Sequence, residues 1–280
     1  MEKLLFGPAG VPLSTRTRAT AAGIERVAEL GLGCMELEFV QGVKMSRETA
    51  LTVAEIASRK KIALTAHSPY FINLNAREPE KIRASQERIF QTARIAALCG
   101  ATSIVFHAAF YLGDPPSQVY EQVRKQLQQI TSQLRAEGNH VWIRPEVTGK
   151  TSQFGTLEEV IELSAEIEGV APCLDFAHWH ARTGKFNSYD EFTFALKQVE
   201  TKLGRQALDN MHIHDSGIAC GKSGEAKHLN LRESDFNYVD FIHALSDYDV
   251  KGLVINESPN LEEDAMLLQQ TYRAAQRGKP

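Results

Sequence analysis

The sequence predicts a closed (β/α)8 barrel, the TIM-barrel fold, as a single domain over residues 1–280. Short runs rich in apolar and β-branched residues alternate with amphipathic helical stretches along the whole chain, which is typical of repeated βα units and a parallel sheet. Eight such units fit the length of 280 residues, a usual size for this barrel. No Gly-x-Gly-x-x-Gly turn follows the first strand, which disfavours an open dinucleotide-binding fold.

The predicted strands are short apolar runs, and the segments between them have helical periodicity. Residues 79–99 and 116–137 each carry an apolar face at 3.6-residue spacing, and each ends next to a glycine, Gly100 or Gly138, as helix termini often do. The eight strands are predicted, in order, at residues 3–7, 34–40, 62–68, 103–108, 140–146, 170–176, 210–215 and 252–258.

The composition is that of an ordinary globular protein, with 43% hydrophobic and 24% charged residues. No apolar run approaches the roughly 20 residues that cross a bilayer, and no secretion signal is recognisable, so we expect a cytoplasmic protein without membrane partners. The four cysteines form no Cys-x-x-Cys pair, which disfavours a zinc ribbon or redox motif. The formal net charge of −4 means that any polyanion must be bound by a local basic surface.

Residues of metal-ligand type stand on six consecutive predicted strands. In a barrel the carboxyl ends of the strands meet on one face, so these side chains are expected to share a pocket. Four lie at or next to the end of their strand, and the last two strands add one each: His67, His107, Glu146, Asp175, His212 and Glu257.

Any one of these residues alone is more simply a hydrogen-bonded core histidine or a turn carboxylate. Together they favour a metal site, because buried carboxylates are costly unless a cation neutralises them. Imidazole and carboxylate donors suit Zn²⁺ or Mn²⁺. Three histidines and three carboxylates suffice for two ions if one carboxylate bridges them, and Glu146 is central in strand order.

Two further segments add candidate ligands. His178 follows Asp175 by three residues and can face the same pocket, whereas the role of His180 is left open. Residues 215–231 contain three glycines without helical periodicity and are predicted to form a long flexible loop over the pocket. His228 in this loop is either a ligand or a solvated histidine.

The motifs "HSPYFINLN", "FHA", "RPEVTGKTSQFG", "LDFAH", "MHIHDS", "GEAKHLNL" and "NESPN" occur in this order over the whole chain. Together they resemble the endonuclease IV family of apurinic/apyrimidinic endonucleases, and "GPAGVP" is similar to its archaeal-type branch. The resemblance implies a TIM barrel with three zinc ions. His67 and His107 would bind the first with Glu146 bridging; Asp175, His212 and Glu257 would complete the second; His178 and His228 would hold the third.

Two positions depart from the family pattern at the ligands. Ala226 stands where the family has an aspartate ligand of the third metal, so either Glu225 substitutes by a shift in the loop, or this site is weak or absent. His214 stands where the family commonly has asparagine, and its role is left open.

The resemblance implies a DNA-repair enzyme of base excision repair, acting as a monomer on duplex DNA. It would hydrolyse the phosphodiester 5′ to an abasic site through a metal-bridged hydroxide, leaving a 3′-hydroxyl and a 5′-deoxyribose phosphate. Metals lower the pKa of a bound water towards neutrality, so that hydroxide is available near pH 7. Glu257 and Glu146 are the candidate catalytic residues. Glu257 would be a metal ligand and the base that orients the water, and Glu146 would bridge two metals.

Candidate DNA contacts lie on loops that follow the strands. Tyr70 and Phe71 match the positions with which the family enters the helix at the lesion, and an exposed aromatic pair can unstack bases. The loop after the second strand is shorter than the arginine-bearing loop of bacterial members, so its basic residues are only approximate equivalents. The basic candidates for phosphate contacts are Lys44, Arg47, Arg182, Lys222 and Lys227.

A second enzyme class uses much of the same constellation. Sugar isomerases and epimerases of the xylose-isomerase-like superfamily bind one divalent metal through four strand-end ligands, here Glu146, Asp175, His212 and Glu257. In such an enzyme the two glutamates would transfer the proton of a ketose. The additional histidines favour the nuclease, since a one-metal site does not need them. A non-catalytic metal- or DNA-binding barrel is the third alternative.

Overall fold

Eight parallel strands form a closed ring in the computed structural model, which describes residues 2–278. With strands numbered in chain order, the ring contains β1 (Leu4–Pro8), β2 (Cys34–Glu38), β3 (Ala63–His67), β4 (Ser103–Phe106), β6 (Trp142–Pro145), β8 (Cys173–Asp175), β9 (Met211–Asp215) and β12 (Gly252–Asn256). Four short strands lie outside it: β5 (Ala109–Phe110), β7 (Gln153–Phe154), β10 (Gly217–Gly221) and β11 (Gly224–Leu229).

The ring consists of two four-stranded parallel sheets, ordered β1-β12-β9-β8 and β2-β3-β4-β6. Isolated parallel bridges join them on both sides, from Ala9 to Glu36 and from Glu146 to Cys173. The ring strands therefore follow one another in chain order, and the predicted barrel is confirmed. Each predicted strand is present within a few residues of its expected bounds.

Helices surround the ring and bury their apolar faces against it. The two clearest sequence predictions are confirmed to within one residue, and the glycines that follow them adopt left-handed φ values of 72° at Gly100 and 73° at Gly138. The helices are α1 (Thr20–Glu29), α2 (Arg47–Lys60), α3 (Pro79–Leu98), α4 (Pro116–Ala136), α5 (Leu157–Glu166), α6 (Phe176–Thr183), α7 (Tyr189–Leu203), α8 (Arg205–Leu208), α9 (Tyr238–Asp247) and α10 (Glu262–Arg277). None of them, within residues 2–278, is long and apolar enough to cross a membrane.

Helix α6 begins directly at the end of β8 and is held by an aromatic cluster. The ring of Phe176, in its first turn, lies with its centroid 5.0 Å from Phe241 and 5.7 Å from Phe192. Trp179 stacks on Phe186 at a centroid distance of 4.2 Å, so this tryptophan has a packing role. These contacts fix the helix that carries His178.

The segment predicted as a flexible loop is a β-hairpin, so that prediction is wrong. Strands β10 and β11 pair antiparallel around a turn at Lys222 and Ser223. The hairpin also docks on the chain that follows β6, because Gly224 bridges Lys150 and the Glu225 N–H donates to the carbonyl oxygen of Gly149 at 2.9 Å. The glycines that suggested flexibility permit tight approach: at Gly224, with φ of 101°, a Cβ would lie 2.1 Å from that carbonyl oxygen.

Candidate metal centre

Among residues 2–278, five groups of ligand-type atoms lie close together, and three of them form a chain of shared members at the carboxyl ends of the ring strands. The first cluster contains His67, His107 and Glu146. The Nε2 atoms of the two histidines lie 3.3 and 3.2 Å from Oε2 of Glu146. The Nδ1 atom of His67 is 2.8 Å from the carbonyl oxygen of Ser68, which suits donation from Nδ1–H and leaves the Nε2 lone pair facing the cluster.

The second cluster contains Glu146, Asp175, His178 and Glu257. Asp175 ends β8 and caps α6, since its Oδ1 accepts a hydrogen bond of 2.6 Å from the His178 N–H. This cap brings the His178 ring back over the strand end, where Nδ1 lies 3.1 Å from both Glu146 Oε1 and Asp175 Oδ2. Asp175 and His178 therefore lie together with Glu146 at the end of β8.

The third cluster contains His178, Glu225 and His228. The Nε2 atom of His178 lies 3.5 Å from Glu225 Oε2 and 3.3 Å from His228 Nε2. His178 thus stands between the second and third clusters. Glu146 stands in the same way between the first and second, with one carboxylate oxygen on each side.

A β-bulge brings Glu225 into the third cluster. Ala219 pairs with Lys227 and Cys220 pairs with Glu225, so Ala226 is the extra, exposed residue of β11. A bulge re-aims the neighbouring side chain. Of the two alternatives raised by Ala226, this geometry favours replacement of the missing aspartate by Glu225.

The pKa values of the clustered side chains show that the buried carboxylates are stabilised by positive charge nearby. Burial lowers the pKa of His67 and His178, but the carboxylates around them outweigh burial and raise each pKa to about 10. Burial raises the pKa of Asp175 to about 6. The pKa of Glu146 lies well below its usual value, since the histidines around it outweigh its own burial. Protonated imidazoles or bound cations can supply this charge.

The donor set fits a metal ion. Glu146 Oε1, Asp175 Oδ2 and His214 Nδ1 are buried ligand atoms that lack a hydrogen-bond partner, although charged neighbours lie close. Burying such atoms unsatisfied costs about 1–3 kcal/mol each. The unpaired oxygen and nitrogen atoms of these side chains face a common space. One cation bound there would coordinate them together. Imidazole and carboxylate donors are those that Zn²⁺ and Mn²⁺ accept.

His212, expected at the second metal, does not join these three clusters and groups instead with Cys173 and His214. Its Nδ1 lies 3.0 Å from the Ser103 hydroxyl, its Nε2 lies 3.1 Å from Glu36 Oε2, and burial lowers its pKa to about 4. His214, two residues nearer the end of β9, lies instead with Nδ1 3.5 Å from Glu257 Oε1 and 3.6 Å from Glu146 Oε1. The physical reason is strand periodicity: both histidines point inward, but only the later one reaches the layer of the ligands.

Two acidic residues of β2 were missed in the sequence. Glu36 is fully buried and lies in a cluster with His214 and Glu257. Burial raises its pKa, but His214 and His212 outweigh this and hold it well below its usual value. Glu38 is partly exposed, but its Oε1 is enclosed, and burial followed by the charge of Glu36 raises its pKa to about 8. The alternation Glu-Leu-Glu could have revealed them, because alternate residues of a strand point to the same side and both glutamates therefore point the same way.

His180 lies outside these clusters. Its Nδ1 is 2.7 Å from the carbonyl oxygen of Lys185, and its Nε2 is 3.4 Å from Asp235. Although this side chain is buried, it is directed towards the outer loops. Its contacts are therefore with Lys185 and Asp235, away from the ligand clusters.

The candidate DNA contacts divide into exposed and occupied side chains. Tyr70 and Phe71 are 62% and 69% exposed on the loop after β3, and the ring centroid of Tyr70 is 5.9 Å from that of His67. Arg182 does not offer a free cation, because its guanidinium donates to the carbonyl oxygens of Thr148, Lys150 and Gln153. It holds the chain after β6 in place. The remaining basic candidates are exposed: Lys44, Arg47, Lys222 and Lys227.

Similar proteins were found at three levels. A family model described as xylose isomerase-like TIM barrel matches residues 24–276. An uncharacterized protein of Methanocaldococcus jannaschii is 45% identical over 270 residues, which cover 96% of this chain and 97% of that protein. A probable endonuclease 4 of Mycoplasma pneumoniae is 25% identical over 223 residues, 78% of this chain and 75% of that protein.

Solved structures of both enzyme classes share the fold. Endonuclease IV from Thermus thermophilus superimposes with a TM-score of 0.73 at 19% identity, covering 97% of this chain and 100% of that chain. A D-tagatose 3-epimerase-like protein superimposes with a TM-score of 0.74 at 17% identity, covering 98% and 97%. Structural likeness at such identities shows only the barrel. Since the family model matches most of the chain, this protein belongs to the xylose isomerase-like TIM barrel family, and its curated relatives include probable endonucleases 4.

Proposed function

We propose that this protein is a zinc-dependent endonuclease that hydrolyses the phosphodiester 5′ to abasic sites in duplex DNA, leaving a 3′-hydroxyl and a 5′-deoxyribose phosphate. The supporting observation is the chain of three ligand clusters joined through Glu146 and His178. A single-metal isomerase needs only one such cluster. Here His67, His107 and His228 extend the centre on both sides.

When bound, the ions would lower the pKa of a coordinated water and stabilise charge that develops on phosphate oxygens. The protein positions the other groups. Glu146 holds the first two clusters in a fixed relation, with Oε2 near His67 and His107 and Oε1 near His178. A carboxylate divided in this way can bridge two ions.

Glu257 is the best-placed proton acceptor. Its N–H donates to the Asp215 carbonyl oxygen at 2.8 Å, which fixes its backbone at the end of β12. Its Oε1 lies 3.5 Å from His214, and its Oε2 lies 3.9 Å from His228. The carboxylate is thus between the second and third clusters, and its side chain is still 14% exposed towards the mouth. It can orient a water there and hold the proton that the water releases.

The aromatic pair beside the centre suits a flipped nucleotide. Tyr70 is anchored through its N–H, which donates to the carbonyl oxygen of Val40 at 3.3 Å, while its ring projects into solvent. Insertion of Tyr70 or Phe71 into a base stack would place the displaced sugar-phosphate near His67. Exposed Lys44, Arg47, Lys222 and Lys227 offer phosphate contacts in spite of the acidic total.

The test is a nicking assay on duplex DNA that carries one abasic site, with zinc-loaded protein and Glu257→Gln as the matched control. We expect cleavage 5′ to the lesion by the wild type and severe loss in the variant. An intact duplex gives the background. The proposal fails if wild type and variant cleave equally.

The second candidate is a sugar epimerase, because Glu146, Asp175, His214 and Glu257 alone also fit one divalent metal. A ketose epimerisation assay on the same preparation separates the two. Metal analysis adds an independent measurement: two or three ions per chain support the nuclease, and one supports the epimerase.

A further inference from the structure

Glu36 joins the two inward-facing histidines of β9. It lies inside the ring on β2, fully buried, and its Oε1 lies 2.9 Å from Nε2 of His214. Its Oε2 lies 3.1 Å from Nε2 of His212 and accepts a hydrogen bond of 2.7 Å from the Thr65 hydroxyl. One carboxylate therefore contacts three donor groups just below the ligand layer.

The His214 ring presents its two nitrogens to different neighbours. Its Nε2 faces Glu36, and its Nδ1 faces Glu257 and Glu146. Both nitrogens are buried without an aligned hydrogen bond. The contact to Glu36 is within hydrogen-bonding distance, and rotation about χ2, a broad torsion in histidine, can align it.

We infer that Glu36 is a positioning residue that holds the hydrogen of His214 on Nε2 and thereby makes Nδ1 of His214 a metal ligand of the second cluster. An ionised carboxylate only accepts hydrogen bonds, so the nitrogen facing it carries the hydrogen. Nδ1 of His214 also faces carboxylates, Glu257 and Glu146, so its lone pair would become available when a bound cation takes the place of a hydrogen between them. Histidines that bind metals commonly donate their other N–H to a carboxylate, which fixes both ring orientation and tautomer.

The arrangement also explains His212. Its Nδ1 is near Ser103 and its Nε2 near Glu36, so both of its nitrogens face groups below the layer of His214 and Glu257. The order of contacts is Ser103, His212, Glu36, His214. This inference rests on the metal-binding part of the proposed function and is independent of the DNA substrate.

The test compares zinc affinity, by competition with a chromophoric chelator, in the wild type, Glu36→Gln and Glu36→Asp. We expect affinity for one ion to fall by about 10- to 100-fold in both variants, with the number of ions at saturation unchanged. The aspartate variant keeps the charge but shortens the reach, so it decides the matter if the glutamine variant does not fold. Glu262→Gln is the matched control, since this buried carboxylate accepts hydrogen bonds from the Leu13 and Ser14 N–H groups outside the ligand clusters, and it should keep wild-type zinc affinity.

A second readout is the tautomer itself. In zinc-loaded protein with ¹⁵N-labelled histidine, long-range ¹H–¹⁵N correlations should show the hydrogen of His214 on Nε2, and this pattern should change in Glu36→Asp. The inference is overturned by unchanged affinity in the Glu36 variants, by loss of one ion at saturation, which would make Glu36 itself a ligand, or by a hydrogen on Nδ1. Absence of DNA cleavage alone would refute only the proposed nuclease function.

Discussion

Gly149 and Glu225 approach so closely that a Cβ on the glycine would lie 2.6 Å from the Cβ of the glutamate. The same Cβ would lie 3.0 Å from Cδ2 of His178. The chain after β6 therefore forms one wall of the third cluster. Only a residue without a side chain lets the bulged hairpin bring Glu225 to His178.

Gly149→Ala should displace Glu225 and weaken the third site. We expect one zinc ion fewer per chain by elemental analysis, and destabilisation of about 1–3 kcal/mol from overpacking in urea unfolding. Gly113→Ala is a control for a glycine with open space around it, although its φ of 82° adds backbone strain. Retention of every ion in Gly149→Ala would contradict the assigned geometry.

Glu225→Ala should remove the third ion without disturbing the first two. Its carboxylate is the only one of that cluster, so nicking should fall by at least about 100-fold, comparable with loss of a strong electrostatic contribution. Metal content and nicking rate are measured on one preparation. Glu233→Ala, beyond the hairpin, should match the wild type, and an equal effect of both substitutions would argue against a role for Glu225.

His214→Gln and His212→Gln should have different effects. We expect His214→Gln to lose affinity for one ion, since Nδ1 of His214 lies beside Glu257 and Glu146. His212→Gln should keep the number of ions but lower stability by about 1–3 kcal/mol, because Ser103 and Glu36 lose a buried partner. Calorimetric zinc titration and thermal unfolding measure both quantities. The reverse pattern would restore His212 as the ligand.

Tyr70→Ala combined with Phe71→Ala should impair DNA binding but not metal binding. Base stacking on an aromatic side chain contributes about 1–3 kcal/mol, so affinity for abasic duplex should fall by at least about 5-fold. Because both rings are exposed, the free energy of unfolding should change by no more than about 0.5 kcal/mol for each. Phe194→Ala, an exposed aromatic residue on α7, is the control for nonspecific surface effects.

Substitutions of Arg182 and Lys222 should have different effects, because Arg182 has a structural role and Lys222 is a candidate DNA contact. Lys222→Ala should lower the salt dependence of DNA binding by about one unit of slope, since its ammonium group is exposed. Arg182→Met should leave that slope unchanged and lower stability, because three backbone carbonyls lose their donor. DNA-binding isotherms at several salt concentrations give the slope for each variant. A lower slope for Arg182→Met would place it at the DNA after all.

The sequence was informative where periodicity determines position. Alternating strands and helices predicted the ring, and the ring brings His67, His107 and Glu146 together although 79 residues separate the first from the last. The same periodicity could not choose between His212 and His214, since both point inward. The choice depends on how far β9 runs before its end, and that is set by tertiary packing.

The hairpin and the position of Glu36 inside the ring were missed for a different reason. Glycine-rich composition suggests flexibility, but the conformation at Gly224 depends on a partner, the carbonyl group of Gly149, that no local pattern reveals. The bulge at Ala226 likewise follows from pairing between β10 and β11. Glu36 was read as part of an apolar run because its partners come from distant strands.

Asp175 divides its two carboxylate oxygens between tasks, with Oδ1 capping α6 and Oδ2 facing the second cluster. The cap of the helix that carries His178 therefore uses Oδ1 and leaves Oδ2 for the second cluster. Small zinc modules are unfolded without metal because the ion itself organises their chain. Here the barrel and the aromatic cluster at Phe176 preorganise the ligands, so a chelator should extract the ions reversibly from a chain that keeps its far-UV circular dichroism.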